Sequence, residues 1–423
     1  MAAIAHDGRE KGAGLLDLEQ ARALVLNAVR PLAGEEVALE DSLGRVLAES
    51  ASAETQVPAF DSSAMDGFAV RSEDLARAGE QAPVALEIVG ESRAGTPAAE
   101  QLGAGQAIAI STGAVIPEGA DGVVRVEDTS KSAPTRVEVF VPVAPEQNVR
   151  RAGEDLRAGE LVLERGALIG PAELGVLASL GRVAVRCTRR PRVSVLVSGD
   201  ELLAAGEEAR PGAVRDTNSL TIAALTARAG GEVVRVASVG DDPEATTAAI
   251  GAALQDVDVA VICGGVSVGE HDHVRSSLSE LGALEELWGI ALKPGRPTWF
   301  GTLGQTLIFG LPGNPVSAMV TFALLVRPAL RALLGLGEDP PRLSAVMDSA
   351  YEKPPGRAHA VRCSVSAGED GWHVRPTGAQ GSHVLSSMLG ADALAIIGAD
   401  VEVVQAGERV EIEPLRMWVE GLA

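Results

Sequence analysis

Aromatic residues are scarce in this chain, 3% of its 423 residues, which leaves little material for the stacking platforms that read unpaired bases. Positive charge is also in short supply. Lys and Arg number 36 against 58 Asp and Glu, a net charge of −22, and that balance excludes nucleic acid as a polyanionic partner. It does not exclude a phosphorylated small molecule, because salt confines electrostatic fields to roughly 8 Å and a few local cations decide what a pocket binds. The three cysteines, Cys187, Cys263 and Cys363, are widely spaced and odd in number, so neither a disulfide framework nor a zinc site is expected. They read as small core residues in a reducing cytoplasm. No uninterrupted apolar run reaches the ~18 residues of a membrane span, and the opening MAAIAHDGREKGAG lacks the apolar core of a signal peptide. No membrane partner is therefore expected. Internal repeats and long low-complexity segments are missing too.

What is present is a globular chain, 46% hydrophobic, long enough for roughly two to four domains. The stretch LLDLEQARALVLNAVRPLAG has helical apolar spacing and stops at Pro31 and Gly34; LEDSLGRVLAES after it reads as a helical or turn-rich connection. Short Val-rich strands between Gly/Pro turns follow (VALEIVG, AIAIST, GVVRVED, RVEVFVPV), the pattern of a β-rich module inserted at 55–145. Residues 15–54 and 146–185 form a discontinuous linker domain around it, with a helix at PAELGVLASLG. Strands and helices then alternate through 186–337, from VSVLVS to PVSAMVTFALLVRPAL, which implies a doubly wound, mostly parallel α/β sheet. The apolar helix at its end reads as core. From 338 to 423 the texture is β again, a small terminal barrel or sandwich.

In open α/β sheets ligands sit at the carboxyl ends of the strands, and here each such end carries polar or glycine-rich residues. The strand VAVIC runs into GGVSVG, with Gly264, Gly265, Ser267 and Gly269, and the carboxylates Glu270 and Asp272 follow where a helix should begin. Glycine turns before helices present backbone N–H groups to an oxyanion. Carboxylates beside such a turn would repel bare phosphate, so their sensible use is to hold a divalent cation that bridges to it. SGDEL places Glu201 at an expected helix start, GDD brings Asp241 and Asp242, and GLPGNP offers Pro312, Gly313 and Asn314 before another helix. Lys293 and Arg296, in the Pro/Gly turn KPGRP, supply counter-charge; charge-assisted hydrogen bonds of this kind contribute roughly 1.5–3 kcal/mol each. His271 and His273 flank Asp272, diverge at a helix start, and read as exposed or supporting side chains. Ser382 and Ser386 read equally well as turn formers.

SSAMDGFAV (62–70), STGAVIPEGAD (111–121), NVRRAGEDL (148–156), SGDEL, GGVSVGEHD, KPGRP, GLPGNPVSA and GAQGSHVLSSM (378–388) occur in that order. Together they closely resemble the molybdopterin molybdenumtransferases, the MoeA family that includes the gephyrin E-domain, from about residue 15 to 413. The resemblance implies a multidomain α/β plus β chain with a MogA-like α/β domain and a C-terminal β-barrel. It implies a homodimer that inserts molybdate into adenylylated molybdopterin, with Mg²⁺, and releases AMP. By motif position it marks Asp66, Thr112, Asp155, Glu201, Asp241, Asp272 and Lys293 as the catalytic set, and Glu201, Asp241 and Asp272 as the metal carboxylates. Gly264, Gly265, Ser267, Gly269, Arg296, Pro312, Gly313, Asn314, Arg362 and Ser382 become the cofactor-binding set. In family dimers the two halves of the site come from different subunits. The adenylyltransferase that makes the substrate and the molybdoenzymes that receive the product are the implied partners.

One departure stands out. Bacterial relatives often carry a second lysine four residues before the KPG lysine, and here that position is Gly289. A tungstate-preferring paralogue and a non-catalytic scaffold that binds the cofactor and hands it on remain the alternatives.

Overall fold

The computed structural model describes residues 15–266, 273–337 and 342–416. These form two compact units. One joins the residues up to Glu49, residues 165–174 and those from Ala184 onward; the other is Ser50–Glu164 with Gly175–Val183.

The second unit is built on a six-stranded sheet in the order Gly122–Arg125, Gly67–Val70, Gln106–Ile110, Val84–Ser92, Arg136–Val139, Thr129–Ala133. Alternation along each strand sends side chains to opposite faces. Phe68, Val70, Leu86, Val124, Val137 and Val139 fill one core, and Ala69, Ile108, Ile110 and Val123 fill another. The Val84–Ser92 and Gln106–Ile110 pair is parallel and its neighbours are antiparallel.

In the first unit, Leu18–Ala28 is a helix with a reciprocal capping box, in which Asp17 accepts from the Gln20 amide and Gln20 accepts from the Asp17 amide. LEDSLGRVLAES contains the single 3₁₀ turn Leu39–Asp41 and then two isolated antiparallel bridges, Val46 to Leu168 and Leu47 to Cys187. The α/β sheet runs Glu232–Val239, Arg192–Ser198, Val259–Cys263, Thr306–Leu311, Trp299–Leu303, Leu284–Trp288. The first four of these strands are mutually parallel, and Trp299–Leu303 runs against both its neighbours. Val193, Val195 and Val197 pack on one face with Ile222, while Leu196 packs on the other with Ile250 and Ile262. Burial on both faces explains why Val259–Cys263 is uninterruptedly apolar. All three cysteines are buried and unpaired.

The apolar helix spans Pro315–Thr321, passes through a π turn at Phe322–Val326, and continues as Arg327–Leu333. Pro328 has no N–H to give the preceding turn, and the widened π turn accommodates that loss. The helix is long and apolar enough to cross a membrane, but 78% of it is buried inside the fold, as befits a core helix.

The terminal region is a closed barrel. Ala358–Gly368 pairs with Gly371–Pro376 and Ala393–Ile397, and Leu343–Met347 and Arg409–Pro414 complete the ring. A further two-residue strand, Leu292–Lys293, adds in parallel to the start of Ala358–Gly368.

Candidate functional site

The carboxyl ends of the parallel strands bring several of the sequence-selected loops together. The strand Val259–Cys263 ends at Gly264, whose N–H donates to the Leu311 carbonyl at 3.1 Å. Gly264 has φ +92°, and a Cβ there would lie 2.4 Å from the Ser198 carbonyl oxygen. Only glycine permits this approach. Gly313 lies against it: a Cβ on Gly313 would sit 3.7 Å from the Gly264 Cα. Pro312 is buried, whereas Gly313 and Asn314 are exposed at the start of the Pro315–Thr321 helix. Gly265 is half-buried with φ +63°. Ser267, Gly269, Glu270, His271 and Asp272 lie outside the described residues; His273 is the N-cap of the following helix.

Sequence reading passed over Asn218, which binds the GLPGNP turn from the N-terminus of the Asn218–Arg228 helix. Its Nδ2 donates to the Gly313 carbonyl at 2.7 Å, and its Oδ1 is buried without a partner. No motif pointed to it, because a lone Asn at a helix start reads as a cap.

Two acidic loops meet beside the glycine turn. The Asp241 N–H donates to Asp200 Oδ1 at 3.0 Å, and the Asp200 N–H donates to Asp241 Oδ2 at 3.4 Å. Ser198 Oγ donates to Asp241 Oδ1 at 3.4 Å. Asp242 caps its own helix through the Ala245 amide. Glu201 departs from expectation: no helix starts there. The chain turns and extends as Leu202–Leu203, paired with Val214–Arg215, because Val214 N–H donates to the Glu201 carbonyl and Leu202 N–H to that of Gly199. The exposed Glu201 carboxylate folds back over Gly199, where a Cβ would lie 2.4 Å from Oε2.

Lys293 and Arg296 are exposed, and neither side chain makes a hydrogen bond or ion pair among the described residues. Lys293 lies in the short strand that joins the barrel, in register with His359, and the Lys293–Pro294 bond is cis. Burial first, then the charges of Lys293, Lys353 and Arg357, push the His359 imidazole down to about 4, so the ring is neutral at physiological pH. Its Nδ1 pairs with the Tyr351 hydroxyl at 3.1 Å.

Arg362 has no solvent exposure at all. Nε donates to Ser387 Oγ at 3.1 Å, Nη2 donates to the carbonyls of Ala379 and Gly381 at 3.2 Å, and Nη1 is buried without a partner. No carboxylate pairs with it among the described residues, and burial pulls its pKa below the ordinary arginine value. The half-buried Ser382 follows directly after Gly381. Gln380 fixes this loop: its Oε1 accepts from the Arg362 N–H and its Nε2 donates to the Arg362 carbonyl.

In the second unit, Asp66 Oδ1 accepts from the Thr112 N–H at 2.7 Å and from Thr112 Oγ1 at 3.1 Å. Both residues are exposed, as is Asp155. Asp66 is therefore held by a neighbouring loop rather than by its own turn.

Among the described residues no group of three or more His, Cys, Asp or Glu side chains is placed to hold a metal by itself. The oxygen donors at the sheet edge still suit Mg²⁺, which commonly takes one or two carboxylates, keeps several waters and completes its shell with substrate phosphate.

The chain matches the profile of the "MoeA N-terminal region (domain I and II)" over residues 16–181, a "Probable molybdopterin binding domain" over 194–332 and the "MoeA C-terminal region (domain IV)" over 344–415. It is 38% identical over 404 residues to the molybdopterin molybdenumtransferase of Haemophilus influenzae, covering 95% of this chain and 98% of that protein. It is 34% identical over 387 residues to that of Bacillus subtilis, covering 90% of each. The crystal structure of the molybdopterin biosynthesis MoeA protein from Pyrococcus horikosii superposes with a TM-score of 0.82 at 32% identity, covering 96% of this chain and all of that one.

Proposed function

The chain belongs to the MoeA family of molybdopterin molybdenumtransferases, and from that premise we propose how its residues carry out the transfer. It is an enzyme of molybdenum cofactor biosynthesis, and molybdopterin and molybdenum are what it handles. In the proposed reaction, molybdate enters adenylylated molybdopterin and AMP leaves. The observation that carries this reading is the convergence of Gly264, Gly313 and the Asp241 loop at one sheet edge.

Backbone N–H groups of Gly265 and of the Gly313–Asn314 turn bind the substrate phosphates, while Gly264, whose own N–H is taken by the Leu311 carbonyl, lets the chain come close. Lys293 and Arg296, unpaired and exposed, add positive charge for the anionic substrates. Glu201, Asp241 and Asp272 would hold Mg²⁺ or its water ligands, and a cation held there would supply charge neutralisation for the anionic substrate. Asp66 and Thr112, locked by two hydrogen bonds, act as a positioned acceptor and hydroxyl, with Asp155 as a further carboxylate. Arg362 lends its uncompensated charge to the neighbourhood of Ser382, with molybdate as the anion it favours. What the chain contributes is positioning and charge stabilisation rather than covalent chemistry. A homodimer in the cytoplasm, working beside the adenylyltransferase and the acceptor molybdoenzymes, belongs to the same proposal.

The test is AMP release from adenylylated molybdopterin, with Mg²⁺, in the presence and absence of molybdate. Many molybdate-dependent turnovers are expected. Tight binding without turnover would move the chain to the scaffold reading, and faster release with tungstate would move it to the paralogue reading.

A further inference from the structure

Asp200 belongs to the SGDEL motif, but no site role has fallen to it. The structure places its carboxylate against the Asp241 backbone, and the contact is unequal in its two directions. Asp200 Oδ1 takes the Asp241 N–H at 3.0 Å, while the return bond from the Asp200 N–H to Asp241 Oδ2 is stretched to 3.4 Å. Asp241 meets Ser198 Oγ only at 3.4 Å as well. One carboxylate is thus engaged as an anchor, and the other keeps its lone pairs largely free.

The surroundings are shaped for this contact. Gly240 leaves the space: a Cβ there would lie 2.4 Å from Asp200 Oδ1. The Asp200 backbone is pinned in turn, because Arg210 Nη2 donates to its carbonyl at 2.8 Å and the Gly199 N–H donates to the Val239 carbonyl at 3.1 Å. The ends of Arg192–Ser198 and Glu232–Val239 are therefore cross-tied just where the substrate edge begins. A fold that needed only a turn here would be served as well by a single acceptor, without a second carboxylate beside it. The arrangement makes sense when a cation joins the edge and one of the two carboxylates must already be in place to meet it.

We propose that Asp200 is a positioning residue: it holds the Asp241 amide so that the Asp241 carboxylate is presented, preorganised, to the Mg²⁺-bound substrate. This rests on the role given to Asp241 above. The role requires an acceptor at Oδ1 and not a charge, and that separates positioning from ligation.

Asp200→Asn keeps the acceptor and Asp200→Ala removes it. The first measurement needs neither metal nor substrate: amide hydrogen exchange at Asp241. Exchange should quicken roughly tenfold in Asp200→Ala, as the loss of one hydrogen bond implies, and stay at the parental rate in Asp200→Asn. The second is the Mg²⁺ concentration giving half-maximal AMP release, which should rise several-fold in Asp200→Ala, with kcat largely recovered at saturating Mg²⁺, and stay near parental in Asp200→Asn. Unchanged exchange in Asp200→Ala overturns the proposal. An Asn variant as impaired in Mg²⁺ dependence as the Ala variant also overturns it, by making Asp200 a charge donor to the metal. If the parent enzyme shows no Mg²⁺-dependent AMP release, the functional reading fails, while the exchange rates still decide whether Asp200 holds Asp241.

Discussion

Gly289 shows how a residue can look like a loss in sequence and a necessity in structure. It has φ +79°, and a Cβ would meet Leu15 Cδ2 at 2.7 Å. A lysine here cannot simply restore the charge that the family resemblance leads one to expect at this position. Gly289→Lys is expected to lower stability by about 1–2 kcal/mol, from the left-handed backbone and the crowded leucine, without improving the KM for molybdate; denaturant melts and steady-state kinetics check both. His359 and His373 respond to pH in opposite senses. His359, at about 4 when folded against ~6.5 unfolded, binds fewer protons in the folded state. Stability is therefore full above about 6.5 and falls as pH drops toward 4, by on the order of 3 kcal/mol. His359→Gln should flatten that part of the stability–pH curve. His373, clamped by Asp370 at 2.6 Å and Asp348 at 2.8 Å, is raised by those hydrogen bonds; its contribution is present below the ordinary histidine range and is lost as pH rises through the folded value. Imidazole NMR titrations should show one ring neutral and the other charged at pH 6. At this scale the sequence singled out Asp241 and Arg362 but not Asp200, Asn218 or Gln380. Those residues act through main-chain atoms of distant loops, and no local spacing encodes such partners.

Elements were more legible than residues where burial set a clean pattern. The helix Leu18–Ala28, the parallel strands and the barrel strands follow their periodicities. Leu284–Trp288, an edge strand, Leu292–Lys293, of two residues, and Trp299–Leu303, an inner strand interrupted by Gly301, gave no such signal. Their side chains nevertheless build a defined cluster. Arg275 is bidentate to Glu285 at 2.7 and 2.8 Å, Trp299 Nε1 donates to Glu285 Oε2 at 2.7 Å, and the guanidinium sits 5.2 Å from the Trp288 ring. Trp288 Nε1 reaches the Val266 carbonyl at 3.2 Å, directly before the rest of the glycine turn. Trp288→Phe should raise the KM for the pterin substrate while costing only about 1 kcal/mol of stability. Asp258 joins two elements. Burial alone would raise its pKa, but the bidentate Arg189 bonds, both 2.6 Å, and the Arg192 amide outweigh burial and lower it. Asp258→Ala should cost about 1–3 kcal/mol near neutral pH, read from urea unfolding.

For the whole molecule, separate cores predict separate cooperativity. Val137 and Val139 belong to a core confined to the second unit, so denaturation is expected in more than one step. Val137→Ala should weaken one transition by about 1–2 kcal/mol and leave another in place. The proposed homodimer should sediment at twice the 43.4 kDa chain mass. Composition disclosed the acidic, multidomain character, but barrel closure was not decidable from short β segments alone, since a sandwich has the same alternation.

The two-residue strand Leu292–Lys293 hydrogen-bonds onto Ala358–Gly368, so the lysine turn of the α/β sheet is finished by a ladder that the terminal barrel supplies. A gene cut between the two regions would deliver an α/β fragment whose lysine turn has lost half its frame. The barrel is thus not a freely exchangeable module: replacing it removes the strand on which Leu292–Lys293 is laid, and with it the frame of the proposed anion turn.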